Sequence, residues 1–374
     1  MNTANAYEHR VARVRASMAA AKVDTLLISN AENRRYLSGF TAEDSGVNES
    51  SGALLITAGQ LLLITDSRYT LQAADEAGLY RVHQSTRGLA KELPDLLKQL
   101  KSRCLGFEAE RLTQSAYAGI RAALDAEHMD VAMTAADQWL AELRIKKEED
   151  EIAVMRRALA ISEAAFEIFM ARDVAVGITE KQAAWRLETR LREAGAEGLA
   201  FPIIAAFGEN SARPHAVCGD RTLIEGRPAL FDWGARLDGY CADISRSFVI
   251  GRSEDTYRQI HRVVYEAQQK AVAAVKPGIE ARAVDAVARE HIAQAGFKDL
   301  FGHGLGHGVG LAVHEPPRVS PLGTDILEEG MVFTVEPGIY LPDWGGVRIE
   351  NMVVVRAGGA EVLNHSDGGN PERR

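Results

Sequence analysis

Beyond residue 228 the chain places acids and imidazoles in apolar or glycine-rich runs. Asp232 lies in Ala229-Leu230-Phe231-Asp232-Trp233-Gly234, and Asp243 in Tyr240-Cys241-Ala242-Asp243-Ile244-Ser245-Arg246, 11 positions later. A hairpin turning at Gly234–Gly239 would set the two carboxylates side by side, where like charges repel unless a cation relieves them. His303, His307 and His314 stand in or just after a run of alternating glycines, Gly302 to Gly310. Glycine admits close backbone approach to a ligand, His307 can bind a metal, and the other two can hydrogen-bond substrate or orient a ligand. Glu336 follows the apolar run Met331–Val335, and Arg348 and Glu350 lie in Val347–Val355. An unpaired carboxylate in an apolar strand is costly. Residues i and i+2 of a strand share a face, so Arg348 and Glu350 are expected to point the same way, as a plain ion pair if considered alone.

Taken together, Asp232, Asp243, His307, Glu336 and Glu350 offer four carboxylates and one imidazole. Four negative charges overbalance one divalent ion and match two. Two metals roughly 3.5–4 Å apart are a known catalytic arrangement. An oxygen-rich set with one histidine suits Mn²⁺, Fe²⁺ or Co²⁺ better than a sulfur-preferring ion. Cys241 would share a strand face with Asp243, but a small apolar filler is the expected role. Other chemistries lack their motifs. Neither G-x-G-x-x-G nor G-x-x-x-x-G-K-[ST] occurs, His314-Glu315 does not extend to H-E-x-x-H, and G-x-S-x-G is missing.

The elements that must hold these residues follow a change of texture along the chain. Residues 1–145 alternate short apolar strands (Thr25–Ser29, Ala53–Thr57, Leu61–Thr65, Leu105–Glu108) with amphipathic stretches (Tyr7–Ala20, Asp66–Gly78, Leu89–Lys101, Thr113–Ala126). That pattern predicts a small α/β domain. The charge run Lys146–Glu151 reads as a solvated helix start and marks the boundary. Within 146–374, helices are expected over Ile152–Arg172, Glu180–Ala194, Ser253–Val275 and Glu280–Gly296. Short β-type segments, Phe201–Phe207, Pro228–Ala235, Tyr240–Ile250, Met331–Glu336 and Val347–Val355, surround them in an α+β domain. The polar tail Ser366–Arg374 is expected to fray.

Composition limits the partners. With 43 Lys and Arg against 52 Asp and Glu, the formal charge is −9, which offers no basic footprint for nucleic acid. No apolar run approaches the roughly 18 residues of a membrane span. The start of the chain is charged and has no apolar core segment, unlike a signal peptide. Three scattered cysteines, Cys104, Cys218 and Cys241, make neither a disulfide framework nor a structural zinc cage. A cytoplasmic protein is expected.

Asp232, Asp243, His307, Glu336 and Glu350, in this order and in these local motifs, resemble the ligand set of the pita-bread metallopeptidases: methionine aminopeptidase, aminopeptidase P and prolidase. Asn33-Arg34-Arg35-Tyr36-Leu37-Ser38-Gly39-Phe40 and Asp66-Ser67-Arg68-Tyr69 resemble the creatinase-type N-terminal domain of the proline-specific branch. The resemblance implies a C-terminal pita-bread (creatinase/aminopeptidase) domain behind a smaller N-terminal α/β creatinase-like domain. It implies that Asp243 and Glu350 bridge two ions, Mn²⁺ foremost with Co²⁺, Fe²⁺ or Zn²⁺ as alternatives. Asp232 would bind one ion, and His307 with Glu336 the other. His215, in Arg213-Pro214-His215, and His314 match histidines that contact substrate and the reacting carbonyl. His303 matches a supporting or substrate-site histidine, Arg348 an arginine beside Glu350, and Tyr340 a tyrosine of less defined role. Asn351 stands where many relatives have Asp.

The activity so implied is removal of the N-terminal residue from peptides with proline second, an Xaa-Pro aminopeptidase. Glu336 would shuttle protons, and a homodimer is expected. The alternative is an Xaa-Pro dipeptidase, which must bind the free carboxylate beyond proline with a positioned cation. Arg348 is taken by its acidic neighbour. Arg213 and Arg318 lie in Pro-containing loops whose position the sequence leaves open, so an open cleft accepting Xaa-Pro-Yaa is expected. A metal-free creatinase-like hydrolase, or a non-catalytic peptide-binding protein on the same fold, would have no need of the intact five-ligand set.

Overall fold

The computed structural model describes residues 3–44, 46, 49–366 and 368–373. The chain divides into two compact units, Met1–Arg144 and Ile145–Arg374. The first carries β1 (Thr25–Ile28), β2 (Ala53–Thr57), β3 (Leu61–Thr65), β4 (Arg81–Gln84), β5 (Cys104–Phe107) and β6 (Ala132–Ala135). They form one sheet in the order β4-β3-β2-β1-β5-β6, antiparallel at β1–β2 and β2–β3 and parallel elsewhere. The helices are α1 (Thr3–Ala20), α2 (Ala31–Ser38), α3 (Thr70–Glu76), α4 (Leu89–Leu100), α5 (Gln114–Ala126) and α6 (Asp137–Arg144). Leu93, Leu96 and Leu97 of α4 and Ile120 and Leu124 of α5 recur at helical spacing and bury against Leu27, Leu55, Leu62 and Leu105 of the sheet. The strands β4 and β6 escape sequence reading because both lie at sheet edges and carry little buried apolar surface.

The second unit opens with α7 (Glu149–Arg172) and α8 (Glu180–Glu193), each started by a capping box, Glu148 with Glu151 and Thr179 with Gln182. Its strands are β7 (Gly198–Leu199), β8 (Ile204–Phe207), β9 (Ala229–Trp233), β10 (Ala235–Leu237), β11 (Tyr240–Cys241) and β12 (Ile244–Ile250). After α9 (Asp255–Ala274) and α10 (Ala281–Gln294) come β13 (Gly306–Gly308), β14 (Glu315–Val319), β15 (Val332–Val335), β16 (Gly338–Leu341), β17 (Gly345–Arg348), β18 (Asn351–Arg356), β19 (Gly359–Val362) and β20 (Glu372–Arg373). A four-stranded sheet runs β20-β12-β9-β8 and a five-stranded sheet β14-β13-β15-β18-β19; β16–β17 and β11-β10-β7 are small separate sheets. Among the described residues no helix is long and apolar enough to cross a membrane.

Packing fixes the strands that carry the acids. The buried face of α7 repeats at Ile152, Met155, Leu159, Ser162, Phe166 and Phe169. Phe166 stacks on Trp233 at 4.1 Å between ring centroids, and Phe169 meets Phe231 edge-on at 5.5 Å. Trp233 Nε1 donates to Ser162 O at 3.0 Å, and Ser162 Oγ accepts from Ala235 N at 2.9 Å. Asp232 therefore sits in a strand that α7 holds at the residues before and after it, Phe231 and Trp233. The glycines of the His307 segment have a packing reason: a Cβ at Gly306 would collide with Thr334 O, and one at Gly308 with Pro316 O. Only glycine lets β13 lie this close to its neighbours β15 and β14.

Three expectations need correction. Val347–Val355 is not one strand. It breaks at Ile349-Glu350, with β17 pairing β16 and β18 pairing β15, so Arg348 and Glu350 share no strand face. The Asp232–Asp243 hairpin is interrupted by a side excursion, β10–β11, turning at Asp238-Gly239 with positive φ at both. Asp243 lies at the kink before β12, and Ser245, not Asp243, faces Asp232 across the ladder. The tail does not fray over Glu372–Arg373, which pairs parallel with Val249-Ile250 of β12; Asp367 and Arg374 lie outside the described residues.

Candidate active site

Five acidic and imidazole side chains converge from five segments of the second unit. Asp232 comes from β9, Asp243 from the kink before β12, His307 from β13, Glu336 from the end of β15 and Glu350 from the break between β17 and β18. All five line one cavity of about 440 Å³, within the size range of small-ligand sites. One ligand atom each of Asp243, His307 and Glu350 lie within 4.8 Å of one another. His307 Nε2 is 3.3 Å from Glu336 Oε1 and 3.7 Å from Asp243 Oδ2. His307 Nδ1 faces Gly308 O at 3.2 Å, which assigns the proton there and leaves Nε2 to the acids.

Electrostatics show how costly it is to crowd these acids together. Burial raises Asp243 and Glu350 well above the carboxylate range, and the neighbouring acids push them further. Burial also raises Asp232, against the pull of Arg348. Glu336 is the exception: burial would raise it, but hydrogen bonding and charge from His307 hold it at about 2. Burial would lower His307, yet Glu336 and Glu350 lift it to about 9. The cluster thus takes up protons where a cation could sit. Asp232 Oδ1 is buried and without a hydrogen-bond partner, an orphan acceptor among carboxylates. An orphaned oxygen, a crowded set of acids and an imidazole nitrogen turned toward them fit a divalent cation site.

Around the acids, neutral and cationic groups hold them in place. Arg348 is 2% exposed and donates from Nη2 to Asp232 Oδ2 at 2.7 Å, from Nε to Ser245 Oγ at 2.8 Å, and from Nη1 to Tyr340 Oη at 3.0 Å and Pro214 O at 3.1 Å. Its acidic partner is Asp232, not the expected Glu350. Ser245 Oγ in turn donates to Glu350 Oε2 at 2.7 Å. Tyr340 Oη donates to His303 Nε2 at 2.9 Å, and His303 Nδ1 donates to Gly304 O at 2.8 Å. Both ring nitrogens of His303 are thus engaged, and burial keeps the ring's pKa low. Thr334 Oγ1 accepts from His307 N at 3.1 Å and donates to Glu336 Oε1 at 3.0 Å. Sequence reading passed over Ser245 and Thr334, although each stands two residues from a singled-out acid, Asp243 or Glu336, a spacing that could have marked them.

His215 and His314 are exposed and line the cavity, and the His314 ring lies 4.2 Å from that of His307. Phe201, Pro202, Ile204 and Val313 form an apolar wall. Cys241 does not line the cavity; its Sγ approaches Leu311 O at 3.8 Å. Arg318 does line it, on β14 directly opposite His307, with its guanidinium exposed and in no hydrogen bond or ion pair among the described residues. Arg213 lies off the cavity and donates to Asn210 Oδ1 at 3.3 Å. Asn351 Oδ1 accepts from the buried Arg246 at 2.9 Å.

Fold and site define a pita-bread metallopeptidase. The model of metallopeptidase family M24 matches residues 153–357, and that of the Creatinase/Prolidase N-terminal domain matches residues 10–146. The chain belongs to metallopeptidase family M24. An Xaa-Pro dipeptidase from Bacillus anthracis superposes with a TM-score of 0.91 at 34% identity, covering 98% of this chain and 100% of that one. An X-Pro aminopeptidase from Thermotoga maritima MSB8 superposes with a TM-score of 0.83 at 38% identity, covering 92% and 96%. In sequence, an Xaa-Pro dipeptidase of Pyrococcus horikoshii is 32% identical over 345 residues, 92% of this chain and 93% of its own.

Proposed function

We propose that this chain is an Xaa-Pro dipeptidase that uses two divalent ions, Mn²⁺ in preference to Co²⁺, Fe²⁺ or Zn²⁺. The observation that carries this reading is Arg318, a guanidinium without a partner among the described residues, in the cavity that holds the acids. A dipeptide ends in a carboxylate just beyond proline, and a guanidinium fork suits a carboxylate. The Xaa-Pro dipeptidases among its relatives favour the same choice over the aminopeptidase expected from sequence.

Asp232, Asp243, His307, Glu336 and Glu350 would hold the ions, with Asp243 and Glu350 shared between them. Bound there, the ions would supply an activated water and a polarised carbonyl. Arg318 orients the substrate by its terminal carboxylate, while Phe201, Pro202 and Ile204 pack against the proline ring and exclude water. His215 and His314 donate to the oxygen on which negative charge develops. Glu336 takes up at a carboxylate oxygen the proton that the attacking water gives up and passes it to the proline nitrogen as the C–N bond breaks. Arg348 holds Asp232, and His303 holds Arg348 through Tyr340.

The test is kcat/KM on Ala-Pro against Ala-Pro-Ala. Ala-Pro should be the better substrate, and Arg318→Gln should raise its KM by about 10–100-fold, the worth of a charged hydrogen bond. Preferential cleavage of Ala-Pro-Ala, untouched by Arg318→Gln, would restore the aminopeptidase reading. We also propose a cytoplasmic homodimer. The cysteines form no disulfide with one another, as suits a reducing compartment. Light scattering at micromolar concentration should give twice the chain mass.

A further inference from the structure

We infer that Glu180 is a positioning residue for His215, an inference that rests on the dipeptidase reading of the site. The His215 imidazole makes no hydrogen bond or ion pair among the described residues, so no polar contact of its own holds the ring and its place depends on the backbone that carries it. That backbone belongs to a 3-10 turn, Gly208–Ala212, followed by residues 213–219 with neither helix nor strand. Such a segment has no ladder to fix it; beside the backbone bonds from Gly208 N to Pro228 O at 2.7 Å and from Lys181 N to Gly219 O at 3.2 Å, side chains tie it.

Glu180 supplies the tie. It is the first residue of α8 and is fully buried. Its carboxylate accepts from Phe207 N at 2.8 Å, from Asn210 Nδ2 at 3.0 Å to each oxygen, and from Gly219 N at 2.7 Å. Phe207 and Asn210 precede His215 and Gly219 follows it, so one carboxylate closes both ends of the loop. Asn210 Nδ2 also donates to Val217 O at 3.3 Å, which extends the tie to the far side of His215. The opposite flank is held by Arg348, through Pro214 O beside His215. No cation pairs with Glu180 among the described residues. The chemistry of the donors explains the acid: three separate N–H groups need two oxygens that carry no hydrogen of their own, and a glutamine would turn an NH₂ toward one of them.

Steady-state kinetics on Ala-Pro with the metal-loaded enzyme test this in a cycle of Glu180→Gln, His215→Ala and the double variant. Glu180→Gln should lower kcat by on the order of 10-fold with little change in KM, because the ring is displaced but the binding wall remains. Metal content should stay at the wild-type value. In the His215→Ala background the Glu180→Gln loss should shrink to about 2-fold or less, since there is no ring left to misplace. Asn210→Ala, which removes two of the ties, should repeat the pattern more weakly and serves if Glu180→Gln does not fold. Wild-type kcat in both variants overturns the inference, as does a loss that persists in full without His215. If His215→Ala alone keeps wild-type turnover, the role of His215 in the dipeptidase reading fails and takes this inference with it. An impaired His215→Ala beside an unimpaired Glu180→Gln overturns the positioning role alone.

Discussion

Arg348 and Asp232, 116 residues apart in sequence, form an ion pair of 2.7 Å in which both side chains are largely buried. One oxygen of Asp232 is thereby committed to protein, and the other, Oδ1, is left buried without a partner. An arginine that occupies one face of a carboxylate and presents the opposite oxygen would orient Asp232 as a ligand of the proposed metal site. Removing it leaves an acid that is free to rotate and ready to take a proton.

Arg348→Met should therefore weaken metal binding by about 10–100-fold, the usual cost of losing such a support. Titration of the metal-free protein with Mn²⁺, read by calorimetry, is the check. Affinity equal to wild type would remove Arg348 from the support of the site.

Asp243→Ala should lose both ions and nearly all turnover if one carboxylate serves both, whereas His307→Ala should lose metal from a single site. Elemental analysis of reconstituted protein separates the two outcomes. Near-normal turnover in Asp243→Ala would sink the assignment.

His215→Ala and His314→Ala should keep both ions and lower kcat by about 10²–10³, as expected when a donor to a developing oxyanion is deleted. Normal kcat with a lowered melting temperature would instead make these histidines structural.

The metal-free protein should lose stability as pH rises. His307 is raised from 6.5 to about 9 in the fold, so its contribution is complete below pH 6.5 and disappears as pH approaches 9. Asp232, Asp243 and Glu350 are also raised, and their contributions fade as pH passes through their elevated values. In each case the folded form binds more protons than the unfolded one, which gives stability a negative slope with pH. Glu336 acts oppositely, but only as pH falls from 4.5 toward about 2. The melting temperature of the metal-free protein should fall from pH 6.5 to 9, and the gain on adding Mn²⁺ should grow over the same range as metal replaces protons. A flat or rising melting temperature would contradict the proton-loaded cluster.

Residue types and their order can be read along the chain: four acids and an imidazole in apolar and glycine-rich runs, preceded by an α/β segment. These were legible because apolar periodicity, capping residues and glycine spacing are local, and because a carboxylate in an apolar run stands out within a few residues of its neighbours. Partnership between those residues belongs to the fold. Val347–Val355 is rich in β-branched residues and reads as one strand, yet its halves pair with different strands and the break falls at Ile349-Glu350. That break turns Arg348 away from Glu350 and toward Asp232, and it gives Ser245 the place between Arg348 and Glu350. Arg318 was legible only as a charge in a Pro-containing loop. Its position in the cavity follows from β14 pairing with β13, which sets Arg318 opposite His307, a register that nothing in the local sequence of Glu315–Val319 specifies. Strand pairing is a long-range choice, made by the packing of the whole unit, and so the chemistry of each residue was local while its partner was not.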